Sequence, residues 1–236
     1  MGPMEREVTA LLTEAQSVPG SSMNRGSPSR TVPASVVEGA LARSGLPIRH
    51  RGSEPHPNPD RRWSAALAAM YETCDAGGIA ALIGTRGTGK TFLASLSARR
   101  LILRHSDGSG ALRAGDTPVC YTTALNLFLT VRDAMRQPGG SELAAMKRYT
   151  APDLLIIDEI QERGETAWED RVLVEIIDKR YGAMKPTIII ANLRREALAE
   201  HLGPSIVSRM HEGGTLIQCD WPGFRGKAGI GKGAAA

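Results

Sequence analysis

This chain predicts an α/β fold, a parallel sheet covered by helices on both faces, and three observations predict it. Short, almost wholly apolar runs occur at Ile79–Ile83, Leu154–Ile157 and Thr187–Ala191, and strands of that kind are buried on both faces, as in parallel sheets. Segments with helical spacing separate them, so strands alternate with helices along the chain. The first run leads into Gly84-Thr85-Arg86-Gly87-Thr88-Gly89-Lys90-Thr91, a glycine-rich turn that opens a helix.

Taken in order, residues 1–60 read as a flexible arm, with Pro55, Pro57 and Pro59 excluding helix near its end. Two short helical patterns interrupt it: Met4 to Gln16, with Val8, Leu11 and Leu12 on one side, and Ala34 to Arg43, with Val36, Val37, Ala40 and Leu41. Each reads either as a helix that docks on a partner or as a segment that packs on the chain's own core or stays disordered. Globular structure is expected over 61–225. A helix from Trp63 to Thr73, with Trp63, Leu67 and Met70 or Tyr71 on one face, leads into the first strand. The helix Thr91 to Leu103, a strand at Val119 to Thr122, and helices Thr123 to Met135 and Ser141 to Tyr149 follow. The strand ending at Asp158, a helix from Thr166 to Arg180, the strand ending at Asn192, a helix from Leu193 to His201 and a last strand at Thr215 to Cys219 complete the order. Residues 226–236, rich in Gly, Ala and Lys, read as a disordered tail.

Composition excludes several classes. A chain of 236 residues buries one sizeable core and leaves little room for a second compact domain. With 42% hydrophobic and 23% charged residues it has the balance of a globular protein, and no run approaches the ~18 apolar residues of a membrane span. The start holds Glu5, Glu7 and Glu14 and lacks an apolar signal core, so a cytoplasmic location is expected. Cys74, Cys120 and Cys219 have neither zinc nor disulfide spacing. A net charge of +4 permits nucleic-acid contact, although 4% aromatic residues leave few platforms for bases. Lys147-Arg148-Tyr149, Lys179-Arg180, Lys227 and Lys232 are the candidate contacts, and solvated helix ends explain most of them equally well.

The turn from Gly84 to Thr91 carries chemistry. Its glycines let the backbone wrap a phosphate with N–H groups pointing inward, and the helix that follows adds its positive end. Lys90 is placed to reach β- and γ-phosphates, and the Thr91 hydroxyl to ligate Mg²⁺. Asp158, at the carboxyl end of a central strand, is the acidic partner of Thr91 at that metal. Glu159, one residue further out, is placed to deprotonate an attacking water, which favours hydrolysis over transfer to another acceptor. Asn192 reads either as a sensor of the γ-phosphate or lytic water, or as an N-cap for the next helix.

These motifs, with Ile176-Ile177-Asp178-Lys179-Arg180-Tyr181, Lys185 to Leu193, Leu202-Gly203, Ser208-Arg209-Met210 and Trp221-Pro222-Gly223-Phe224-Arg225, resemble the DnaC-like helicase loaders over residues 63 to 225. The IstB-like transposition ATPases share most of them. The resemblance implies an AAA+ ATPase core, with ATP and Mg²⁺ as cofactors and subunits assembled side by side as a homo-oligomer. It implies that Arg209 is an arginine finger reaching a neighbour's γ-phosphate, and that a replicative DNA helicase and single-stranded DNA are the partners. Where family members often carry a second arginine, four residues before the finger, this chain has Ser205, so slow hydrolysis is expected. Some 25 residues after Arg209 leave no room for a C-terminal helical lid, and none is expected. Arg225 matches a terminal motif whose role is nucleotide-proximal or structural. The alternatives are an IstB-like transposition regulator acting on duplex DNA, a non-catalytic ATP-bound adaptor and, more remotely, a metabolite kinase.

Overall fold

The computed structural model describes residues 34–52, 61–107 and 118–223. The helix expected at Met4 to Gln16, the tail at 226–236, Arg225, Lys227 and Lys232 lie outside the described residues. So does the stretch after Gly223 on which the expectation about a lid falls.

Helix α1 spans Ala34–Arg43 and α2 Arg61–Asp75, ahead of strand β1, Ile79–Ile83. Then come α3 (Lys90–Asp107), β2 (Val119–Thr123), α4 (Ala124–Arg136), α5 (Glu142–Thr150) and β3 (Leu154–Asp158). Helix α6 (Ala167–Gly182), β4 (Thr187–Ala191), α7 (Arg195–Gly213) and β5 (Gly214–Gln218) complete the described chain. The strands form one five-stranded sheet in the order β2-β3-β4-β1-β5, and every pairing is parallel.

The apolar runs are buried at every position in β1, β3 and β4 because helices cover both faces, yet the period of two still sorts their side chains. Ala80, Leu82, Leu154, Ile156, Ile188 and Ile190 face a core built with α1, α2 and α3. Ile79, Ala81, Ile83, Leu155, Ile157 and Ile189 face a second core built with α4, α5, α6 and α7.

Helix starts follow capping chemistry. The hydroxyls of Thr123, Ser141 and Thr166 accept from the backbone N–H of Asn126, Ala144 and Glu169, so those three residues lie just outside the helices expected to contain them. The last helix differs more. It begins at Arg195, not Leu193, and runs on to Gly213 through a break at Gly203, where φ is 75° and Pro204 opens a second segment.

Of the readings left open for the helix Ala34–Arg43, the structure shows packing on the chain's own core: Val37, Ala40 and Leu41 are buried in the first core, and the carbonyl of Ser44 accepts from the Tyr121 N–H at 2.7 Å. Its apolar face meets α3 before any partner can use it. Arg180 and Tyr149 are fully buried, which removes both as nucleic-acid contacts.

Arg180 has a structural task. From α6 its guanidinium donates to the carbonyls of Tyr149, Pro152, Asp153 and Pro186 and to the Thr187 hydroxyl, at 2.6 to 3.3 Å. Burial pulls its pKa down to about 10, which leaves it charged at neutral pH. Arg180→Met would strand several buried carbonyls, each costing about 1–3 kcal/mol. We expect the variant to lose about 3 kcal/mol or more in urea unfolding, and a loss below 1 kcal/mol would show that the carbonyls find other donors.

Candidate functional site

The site forms at the carboxyl ends of β1, β4 and β3, where parallel sheets hold their ligands. The turn after β1 has the conformation its glycines predict, with φ of 131° at Gly84, 89° at Gly87 and 83° at Gly89. Gly84 also has no room for a side chain, because a Cβ there would lie 2.5 Å from the carbonyl oxygen of Cys219. Lys90 is buried, and its Nζ donates to the carbonyls of Gly84 and Thr85 at 2.8 and 2.7 Å, in the mouth of the turn. Thr88 is buried and donates from Oγ1 to the Thr85 carbonyl at 3.1 Å. Thr85 and Arg86 are exposed on the rim, where Arg86 lies 3.6 Å from Glu162.

Asp158 gathers the donors around it. Its Oδ2 accepts from the Thr91 hydroxyl at 2.8 Å and from the Tyr121 hydroxyl at 2.9 Å, and its Oδ1 accepts from the Glu159 N–H at 2.8 Å. Thr91 and Asp158, which the two motifs assign to one metal, thus lie in direct contact. Tyr121 is new: it reaches across from the adjacent strand, β2, and a lone tyrosine in a short strand gives no sign of this. Burial and the Asp158 charge both push its phenol up, so it stays a proton donor.

Glu159 adopts a left-handed backbone, φ 53° and ψ 48°, uncommon for a residue with a side chain. Among the described residues its carboxylate has no hydrogen bond or ion pair. Asn192 lies beyond β4, and its N–H donates to Gln161 Oε1 at 3.1 Å. The helix cap is Arg194, so Asn192 does not cap α7 and its amide stays free of that task. A cavity of about 600 Å³ joins Gly84 and Thr85 to Asn192, Arg194 and Arg195.

Arg209 stands apart from this group. Its contacts are with Ser205, by Nη1 to the carbonyl and to Oγ at 2.8 Å each, and with Asp178, by Nη2 at 2.8 Å.

Trp221, in a stretch the sequence marked only as a motif, braces the turn. It is buried, and its indole N–H donates to the Thr88 carbonyl at 2.7 Å. Trp221→Phe keeps an aromatic side chain but removes the indole N–H and frees that carbonyl, at a cost near 1–1.5 kcal/mol. Nucleotide affinity is therefore expected to fall about tenfold by calorimetric titration. An unchanged affinity would mean that the turn holds its shape without the brace.

Comparison with known proteins bears on these motifs. The model of the IstB-like ATP binding protein family matches residues 56–208. The replicative helicase loader DnaC of Escherichia coli K12 is 29% identical over 154 residues, 64% of this chain and 58% of the loader, so the match spans little more than half of that relative. The uncharacterized protein YdaV of the same strain is 30% identical over 196 residues, 80% of this chain and 74% of YdaV. A crystal structure of the DnaC helicase loader superposes with a TM-score of 0.56 at 21% identity, covering 73% of this chain and 99% of that one, which establishes a shared fold. The phosphate turn, the carboxylate strand and the parallel sheet are thus those of a known group: this chain belongs to the IstB-like ATP-binding family of AAA+ P-loop ATPases.

Proposed function

We propose that this protein is an ATP-driven helicase loader, which assembles side by side on ATP and delivers a replicative DNA helicase to single-stranded DNA during replication initiation. The observation that carries the reading is the position of Arg209, which contacts Asp178 and Ser205 and no part of its own phosphate turn. A guanidinium placed this way suits completion of a neighbour's site, so hydrolysis depends on assembly. The likeness to the curated loader supplies the class of partner.

In this reading the turn's N–H groups and Lys90 hold the β- and γ-phosphates. Glu159 takes a proton from water as the oxygen attacks the γ-phosphorus. The bond from that phosphorus to the β,γ-bridging oxygen breaks, leaving ADP and phosphate. Asn192 orients the water or the γ-phosphate, and Arg209 of the neighbouring copy meets the developing charge, an effect worth about 10³–10⁵ in rate. Thr91 Oγ1 lies 2.8 Å from Asp158 Oδ2, two hard oxygens that suit Mg²⁺, and the Tyr121 hydroxyl orients that carboxylate by donating to the same oxygen at 2.9 Å. When bound there, Mg²⁺ would draw charge from the β- and γ-oxygens. Coupling to the partner requires that ATP favour one assembly state over another, since equal affinity shifts nothing.

Three variants separate the roles. Lys90→Ala should weaken ATP binding about 100-fold, through loss of charge-assisted hydrogen bonds. Glu159→Gln should bind ATP normally and lose turnover by about 10²–10⁴. Arg209→Ala should bind ATP, lose about 10³ in assembly-dependent turnover, and recover when mixed with Glu159→Gln, which contributes its arginine in trans. The decisive measurement is turnover against protein concentration with each kind of DNA. Stimulation by single strands supports the loader, stimulation by duplex points to a transposition regulator, and no turnover under any condition leaves a non-catalytic adaptor.

A further inference from the structure

The segment of α7 after Gly203 does more than carry Arg209; it fixes where the guanidinium lies. The φ of 75° at Gly203 redirects the helix, and Pro204 starts the new segment. Ser205 and Arg209 are four residues apart and share one helix face. Nη1 of Arg209 donates to both oxygens of Ser205, and Nη2 forms an ion pair with Asp178 Oδ2, every distance being 2.8 Å. The side chain is thereby tied to two helices, α6 and α7.

We propose that Asp178 and Ser205 are positioning residues for Arg209, holding its guanidinium ready for the terminal phosphate of a nucleotide bound by a second copy of this chain. The inference rests on the assembly-dependent hydrolysis proposed above.

A guanidinium has five N–H donors. The three contacts use at most three, so at least two remain for a phosphate oxygen. The side chain is 24% exposed, which leaves it reachable while shielding its tether from full solvent screening. A long arginine loses much rotamer freedom when it engages a ligand, and the tether removes most of that freedom beforehand. Transition-state stabilisation gains from groups fixed in place before charge develops.

The second oxygen of Asp178, Oδ1, makes no hydrogen bond to another described residue. The neighbouring cations are engaged elsewhere. Lys179 pairs with Glu175 on its own helix, and Arg180 is buried among backbone carbonyls. The Asp178 carboxylate therefore serves Arg209 and no other cation of that run.

The test uses the full chain. Asp178→Asn and Ser205→Ala are compared with Arg209→Ala for turnover per site, the ATP concentration at half-maximal rate, and rescue by Glu159→Gln. Positioning predicts that Asp178→Asn lowers turnover about tenfold and Ser205→Ala about threefold, with the half-maximal ATP concentration unchanged. Mixing Asp178→Asn with Glu159→Gln should restore turnover, because the added copy brings a tethered arginine to an intact site. A fall that mixing does not rescue would be a structural effect and would overturn the proposal. Unchanged turnover in both variants, with Arg209→Ala inactive, would overturn positioning and keep the finger. Raised turnover in Asp178→Asn would overturn it in favour of a brake. If Arg209→Ala itself turns over normally, the finger reading fails first and the positioning role falls with it.

Discussion

A buried guanidinium with no carboxylate partner among the described residues sets the frame on which the site depends. Arg180 binds the chain just before β3, through the carbonyls of Tyr149, Pro152 and Asp153, and the start of β4, through Pro186 and Thr187. It thereby fixes where two adjacent parallel strands begin relative to each other, Leu155 facing Thr187 and Ile157 facing Ile189. Side chains alternate across a sheet, so a slip of one residue would turn each core set to the wrong face. It would also carry Asp158 and Asn192, at the far ends of those strands, out of line with the phosphate turn. The choice of carbonyls as partners is itself informative. A carboxylate would neutralise one charge at one point, whereas five donors in a planar fork can satisfy backbone groups from two separate segments.

At the opposite end of the strands, the same economy of donors organises chemistry. Asp158 takes hydroxyls from α3 and β2 on one oxygen and the next residue's N–H on the other. The last of these is linked to the left-handed turn at Glu159, which takes the backbone out of the strand direction at the residue assigned to water. The phosphate turn is braced independently, by Trp221 on Thr88 and by the close passage of Cys219 past Gly84. Both braces come from the chain following β5, so the turn's shape depends on the edge strand that comes last among the described residues.

What the sequence made legible was whatever depends on residue type and local spacing. Uniform apolar runs announced the strands, glycine spacing announced the turn, and adjacent acids at a strand end announced Asp158 and Glu159. Helix starts were misread by one residue at Thr123, Ser141 and Thr166, since a capping residue belongs to the pattern without joining the helix. The helix expected to end at His201 runs on to a break at Gly203 and beyond it, a continuation missed because the second segment carries few apolar residues and gave no periodic signal. Tyr121, Trp221 and Arg180 were illegible as to role, because each acts through a contact with chain far away in sequence. The basic pair Lys179-Arg180 shows the limit well: two adjacent cations look alike as letters, but helical rotation leaves one in an ion pair at the surface and buries the other among carbonyls.

The same rotation links the two ends of the argument. Asp178 and Arg180 lie on α6 only two residues apart, yet one meets Arg209 across the helix pair and the other reaches under the sheet's strand starts. A helix places residues two apart about 200° around its axis, so neighbours in sequence serve opposite surroundings. Helix α6 is thereby a shared support: one side sets the relative start of β3 and β4, and so the place of Asp158 and Asn192, while the other side holds the guanidinium of α7. The residues assigned to a chain's own nucleotide and the arginine assigned to its neighbour's therefore rest on one helix, the first through the strand starts that Arg180 holds and the second through the ion pair with Asp178.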